Sequence, residues 1–272
     1  QDRWDSLKST LIAPIHDLEY HRILAQAIAL AREGHIVLGD KEASFYAGFF
    51  TDKFQILPLE IKWINNRLYV WRNYSSDSIL TKGDEIISLN GRNPIDIQKN
   101  IFPYISADGY IETYKHQLFG REFAAHYFWF IEQCDSFQID YINPKNQKQE
   151  SIILRALSRP QMSQWASIKG FRKETELGVN QLYSLYQQGT TAVLGLRSFE
   201  EALCTKHQVV AATLYKKIFE RIKKNNIKNL IIDLRNNQGG LKEFVDELMP
   251  YVLKKNKKGC YRTLTNAQGQ VL

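Results

Sequence analysis

Residues 229–244 read NLIIDLRNNQGGLKEF. An apolar run climbs to Asp233 and Arg235, three amides follow, and Gly239 and Gly240 stand before a new apolar-periodic segment. The run has the continuous apolar start of a strand covered on both faces. Beyond the glycines, Leu241, Phe244, Val245, Leu248 and Val252 fall on one helical stripe. In open parallel sheets, sites lie beyond the carboxyl ends of strands, which is where this glycine pair sits. Glycine tolerates positive φ and lets another backbone or a substrate come close. The first N–H groups of a helix lack internal partners and lie at the positive end of its dipole. Such donors can hold a phosphate, or the oxyanion of an acyl-transfer transition state. A tight strand-to-helix turn with nothing bound has the same spacing, and no Walker-type Gly-Lys-Ser/Thr follows it.

Upstream, TTAVLGLRSF (190–199) reads as a buried-type strand. Val210, Leu214, Ile218 and Ile222 recur four apart in a long helix, and NNIKN is a loop before the Asp233 strand. Strand, helix, strand, helix implies a parallel pair joined by a right-handed crossover. Residues 158–189 carry mixed polarity and read as a connector into this 158–272 block.

Residues 54–157 have another character. PLEIKWINNRLYVWRN alternates apolar and polar residues on both sides of Asn65-Asn66, the pattern of a hairpin. In ILTKGDEIISLNGRNP (79–94), Gly83-Asp84 turns into a short strand, Glu85 to Leu89, and Asn90-Gly91 turns out of it. A helical stretch follows to Pro103, and DSFQIDYINPKNQKQESIILRAL reads as two further strands. The block is one small β-rich domain with a helical insertion. Ahead of it, in 1–53, residues 18–33 place Leu24, Ala27, Ile28 and Ala31 at helical spacing. Gly34 reads as the stop of that helix. His35 then opens the strand-like HIVLG, a junction that suits a functional residue and equally a harmless one.

Composition sets the bounds. The chain has 272 residues, 44% hydrophobic and 24% charged, and a formal net charge of +7. That is a globular composition with ample core material. No apolar run approaches the ~20 residues of a membrane-spanning helix. The lysines of 216–228 and 254–258 read as solvated faces, because no nucleic-acid-binding motif accompanies them. Cys134, Cys204 and Cys260 are far apart and form no C-x-x-C. His16 and His21 are five apart, one residue off the spacing that puts two rings on one helix face, and read as surface or packing histidines.

LIIDLRNNQGG closely resembles the Asp-Leu-Arg-x-Asn-x-Gly-Gly strand and turn of the tail-specific, or C-terminal processing, serine proteases, whose superfamily includes the tricorn core protease. LTKGDEIISLNGRNPIDI resembles the Leu-x-x-Gly-Asp-x-Ile-x-x-Ile-Asn-Gly signature of the PDZ domain that precedes the core in these enzymes. ALAREGHIVLG and RSFEE resemble the Gly-His junction and the Ser-Phe strand of the tricorn-like branch. The resemblance implies an α+β and α/β multidomain chain with an N-terminal helical segment, a PDZ-like β-rich domain and the start of a ClpP/crotonase-like parallel βα core.

It further implies a serine-type peptidase acting on a peptide or unfolded protein, with no cofactor, because a serine and a base suffice for acyl transfer. His35 would be the general base, and Gly239 and Gly240 would supply the oxyanion hole. Asp233 and Arg235 would fix the strand end, with Asn236 and Asn237 as turn formers. In the tricorn core a serine precedes the histidine; here Gly34 stands in its place. The nucleophile of such enzymes follows the glycine turn by several tens of residues, so it is expected beyond Leu272, and 1–272 reads as the front part of a longer protein. No Gly-x-Ser-x-Gly elbow occurs in the chain. Relatives of this branch are usually exported, which implies an extracytoplasmic location. Two other readings stand beside the peptidase. One is a non-catalytic peptide-binding protein with a degenerate core, and the other is anion or nucleotide binding at the glycine turn.

Overall fold

The structure, a computed structural model, describes residues 2–11, 14–36, 51, 53–171 and 178–253. The chain divides into two compact units, Gln1–Phe171 and Arg172–Leu272. No helix among the described residues is long and apolar enough to cross a membrane.

The first unit opens with helices α1 (Asp2–Ser9) and α2 (Asp17–Leu30). A five-stranded antiparallel sheet follows, in the order β1 (Leu59–Ile64), β2 (Arg67–Asn73), β3 (Glu85–Leu89), β4 (Ser136–Ile142), β5 (Gln149–Arg155). The expected hairpin forms because Asn65 and Asn66 both accept positive φ, 50° and 62°, as a two-residue turn between twisted strands needs. Gly83 at φ 97° and the pair Asn90 and Gly91 at 48° and 74° bracket β3 in the same way. Helix α3 (Pro94–Ile101) starts where Asn93 Oδ1 accepts the Asp96 N–H at 2.9 Å and proline occupies the first turn. Helices α4 (Thr113–Arg121) and α5 (Phe123–Phe130) complete a core in which Ile61, Leu68, Ile86, Phe119, Phe123 and Tyr127 are fully buried. Helix α6 (Arg159–Ile168) closes the unit behind a Ser158–Gln161 capping box.

The end of α2 differs from the expectation. The helix stops at Leu30, ahead of Gly34, and Arg32 takes the left-handed position at φ 53°. Residues 37–39 of the strand-like HIVLG segment lie outside the described residues.

The second unit holds a short helix α7 (Val179–Leu182) and a three-stranded sheet, ordered β6 (Tyr183–Gln188), β7 (Thr191–Leu196), β8 (Asn229–Asp233). β7 and β8 are parallel, paired from Thr191↔Asn229 to Gly195↔Asp233. Helices α8 (Glu201–Lys206) and α9 (Ala211–Lys224) lie between them in sequence, and α10 (Glu243–Val252) follows β8. Three features depart from the expectation. The 158–189 stretch, read as a connector, contains α6 and β6. β6 blurs its period-2 signal because polar Gln187 shares the inward face with Tyr183 and Leu185, while the aromatic Tyr186 faces solvent. β8 is also less enclosed than its apolar run suggests, since Ile231 is 53% exposed among the described residues. The α10 stripe narrows likewise. Phe244 and Leu248 are buried, while Val245 and Val252 reach solvent. Phe244 holds the unit together, stacked on Phe199 at 4.9 Å and on Tyr183 at 5.8 Å, with Tyr215 edge-on at 6.2 Å.

Candidate functional site

The carboxyl ends of β7 and β8 converge in the second unit. β7 runs out at Leu196, and the chain continues through Arg197, Ser198 and Phe199 to α8. β8 ends at Asp233, and Leu234–Leu241 carry the chain back against that segment. Phe199 and Gly240 form an isolated parallel bridge. Phe199 N–H donates to Gly239 O at 3.1 Å, and Leu241 N–H donates to Phe199 O at 2.7 Å. A Cβ on Gly240 would overlap the Phe199 carbonyl and the Glu200 nitrogen, so the close approach demands glycine. Gly239 faces open space, and its need for glycine lies in its φ of 91°.

The two glycine N–H groups differ. Gly239 N–H donates to Asn237 Oδ1 at 2.8 Å. Gly240 N–H has no acceptor among the described residues, because the bridge uses the groups on either side of it. It is an open donor of the turn, as is the N–H of Gln238 among the described residues.

Polar contacts fix the strand ends. Arg235 embraces Asp233 with Nε to Oδ1 at 2.9 Å and Nη2 to Oδ2 at 2.8 Å, while its backbone N–H also reaches Oδ1 at 3.0 Å. Arg197 Nη1 donates to Arg235 O at 3.1 Å and its Nη2 stands 3.8 Å from Asp233 Oδ2. These hydrogen bonds from Arg235, with its charge and that of Arg197, hold the Asp233 carboxyl well below the usual carboxylate range. Asn237 spans the turn, its Nδ2 donating to Leu196 O at 3.0 Å while Oδ1 takes Gly239 N–H. Asn236 is the turn former, at φ 67°. Sequence reasoning missed the roles of Arg197, of Asn237 as a tie between strand and turn, and of Tyr183, whose hydroxyl donates to Ser198 O at 2.8 Å. The amide-rich NNQ run was the available signal for Asn237. A cavity of about 810 Å³ opens beside the turn, lined by Ser198, Glu200, Glu201, Asn236, Gly239 and Gly240 among others.

His35 lies in the first unit, so it is described there by itself. Its side chain is 91% exposed, and Nδ1 stands 3.1 Å from Glu33 Oε1. The same oxygen accepts the His35 backbone N–H at 3.1 Å. Gly34 N–H donates to Asp108 Oδ1 at 2.7 Å, and Ser106 Oγ donates to Glu33 O at 2.8 Å, so the 106–108 loop props the junction. A proton on Nδ1 facing Glu33 leaves Nε2 as the basic nitrogen. Glu33, His35 and Asp108 offer ligand atoms within 4.8 Å of one another, the grouping among the described residues with the chemistry to hold a metal ion.

Residues 190–270 match the model of peptidase family S41. The segment begins at β7 and takes in the glycine turn, so the tail-specific protease resemblance of Asp233–Gly240 is borne out over those residues. No curated protein matches the chain in sequence. Two solved structures share the fold at low identity. One is a CPAF mutant carrying a serine-to-alanine change, with TM-score 0.54 and 14% identity over 87% of this chain and 50% of that one. The other is mature CPAF complexed with lactacystin, with TM-score 0.52 and 15% identity over 83% of this chain and 47% of that one. The chain spans about half the length of these proteins.

Proposed function

We propose that the protein is a serine endopeptidase of the tail-specific, tricorn-like type, acting on peptides or unfolded proteins outside the cytoplasm. The observation that carries this reading is the open Gly240 N–H in the turn beyond β8, inside the segment that matches family S41. In this reading Gly240 donates to the oxyanion of the tetrahedral intermediate. Gly239 fixes the turn through Asn237 and contributes its dipole. His35 takes the proton of a serine that the family resemblance puts after Leu272. Glu33 supports that role, because a carboxylate on Nδ1 sets the tautomer and stabilises the imidazolium once the proton arrives. The acyl-enzyme then forms with loss of the amine, and water releases the acid by the same base. The β-rich block of the first unit would hold the peptide by strand addition.

The test is labelling of the full-length protein with a fluorophosphonate probe, paired with cleavage of an unfolded protein. His35→Ala is expected to reduce both by about 10²–10⁴-fold. Unaltered labelling in His35→Ala would remove the histidine from the mechanism. Peptide binding without labelling or cleavage would favour the binding-protein reading, which the occupied Gly239 N–H also suits.

A further inference from the structure

A cavity in the first unit has no part in the peptidase reading. It measures about 510 Å³ and lies between α1, α2, the 107–112 loop and α4. Its walls are apolar at Leu7, Leu30 and Ala107, and Arg32 and Lys115 bring two cations to it. Arg32 is held at φ 53°, one residue past the α2 cap, where glycine has no Cβ to clash and asparagine is tolerated through local side-chain hydrogen bonds. Its carbonyl accepts the Gly109 N–H at 2.9 Å, which ties the loop to the helix end. Its guanidinium lies over the Tyr110 ring, 3.9 Å from the centroid, although that ring is 84% exposed. Lys115 spends one of its three donors on Phe102 O at 3.2 Å. Burial pushes the Lys115 ammonium pKa down and the Arg32 charge pushes it further, while Glu112 alone opposes them. Neither cation forms an ion pair among the described residues. Two like charges thus share a partly apolar cavity with one nearby carboxylate.

We propose that this cavity binds a small organic anion, a carboxylate or phosphate ester on an apolar body, with Arg32 and Lys115 as its cationic contacts and Tyr110 at its mouth. An anion between the two cations relieves their repulsion and takes up the donors that Lys115 and the guanidinium fork leave over. The apolar wall covers the body of the ligand, and the Tyr110 ring packs on the Arg32 guanidinium.

The test is calorimetric titration and thermal melting of the full chain with phenyl phosphate, benzoate and benzyl alcohol. At least one of the two anions should bind and raise Tm by mass action, and the neutral alcohol should not. A response to phenyl phosphate alone assigns a phosphate ester, and a response to benzoate alone assigns a carboxylate. Arg32→Asn removes the cation while supplying a residue that accepts the left-handed backbone, so its unliganded Tm should hold or rise. Its anion affinity, and that of Lys115→Gln, should fall at least about tenfold. The proposal is overturned if neither anion binds, if benzyl alcohol binds as well as they do, or if Arg32→Asn binds unchanged.

Discussion

Gly240 lies so close to the Phe199 carbonyl that any side chain on it would overlap that group, and the two residues are joined as a parallel bridge. Two strand ends are thereby locked together at the mouth of the candidate site. The two glycines should therefore respond differently to alanine. At Gly239 the added carbon meets open space and the cost is backbone strain alone, about 1–3 kcal/mol. At Gly240, φ 133° adds strain of the same kind, and relief of the overlap must also displace Phe199 or the turn, a further ~1–3 kcal/mol. Denaturant unfolding of both variants should rank Gly240→Ala as the more damaging, and equal losses would mean the bridge is not what makes Gly240 necessary.

Asn237 makes a second tie across the same turn. Asn237→Ala strands the Leu196 carbonyl and the Gly239 N–H, each losing a partner at 3.0 or 2.8 Å. The expected cost is about 0.5–1.5 kcal/mol, because the Leu196 contact is half-buried while the Gly239 contact is exposed and water can replace it. Asn237→Asp keeps the acceptor for Gly239 and loses only the donor to Leu196, so it should lie between wild type and alanine. An aspartate variant no better than alanine would show that the Leu196 contact carries the whole effect.

The glycine turn was legible in sequence because glycine, asparagine and an abrupt change of hydrophobic period all act locally. The β1–β2 hairpin at Asn65-Asn66 and the turns around β3 were legible for the same reason. β6 was not, because its pairing with β7 is a tertiary matter and half of its side chains face solvent. Gly34 misled because a helix end reads as glycine by default, whereas Arg32 bears the positive φ. The distinction between Gly239 and Gly240 was equally hidden. It depends on Phe199, some forty residues upstream, and on which N–H the Asn237 side chain happens to take.

A buried histidine, His21, and a half-buried one, His126, give the first unit a pH dependence. His126 packs on Phe130 with ring centroids 5.9 Å apart, and its Nδ1 has no hydrogen-bond partner among the described residues. Burial, with a smaller push from Arg121, lowers its pKa to about 4. His21, stacked on Phe130 at 5.7 Å, is lowered to about 4 by burial and by Arg22. Both folded values lie below the 6.5 of an unperturbed histidine. Between pH 6.5 and 4 the unfolded chain therefore binds more protons than the folded one, and stability rises with pH. The contribution is complete above 6.5 and is lost as pH falls toward 4. Each histidine adds at most about 1.4 kcal/mol per pH unit to the slope. His126→Phe keeps a ring against Phe130 and cannot be protonated, so its stability should change less steeply with pH across this window. An unchanged slope would assign the dependence elsewhere.

Tyr215 is fully buried in the second unit, and its hydroxyl has no hydrogen-bond partner among the described residues. Burial raises the phenol pKa, so the group stays neutral and contributes no pH dependence at ordinary pH. The ring does the packing, edge-on to Phe244 at 6.2 Å, and a phenylalanine would keep that contact. Folding takes the hydroxyl out of water without returning a bond, a cost that removal of the oxygen eliminates. Tyr215→Phe is therefore expected to stabilise the protein by about 1 kcal/mol. The void left by one oxygen offsets part of that gain, which keeps the figure at the low end for an unsatisfied group. Calorimetric melting of the variant beside wild type decides the matter. A raised Tm fits an unpartnered hydroxyl, and a lowered one means that the oxygen has a partner in solution, such as a bound water.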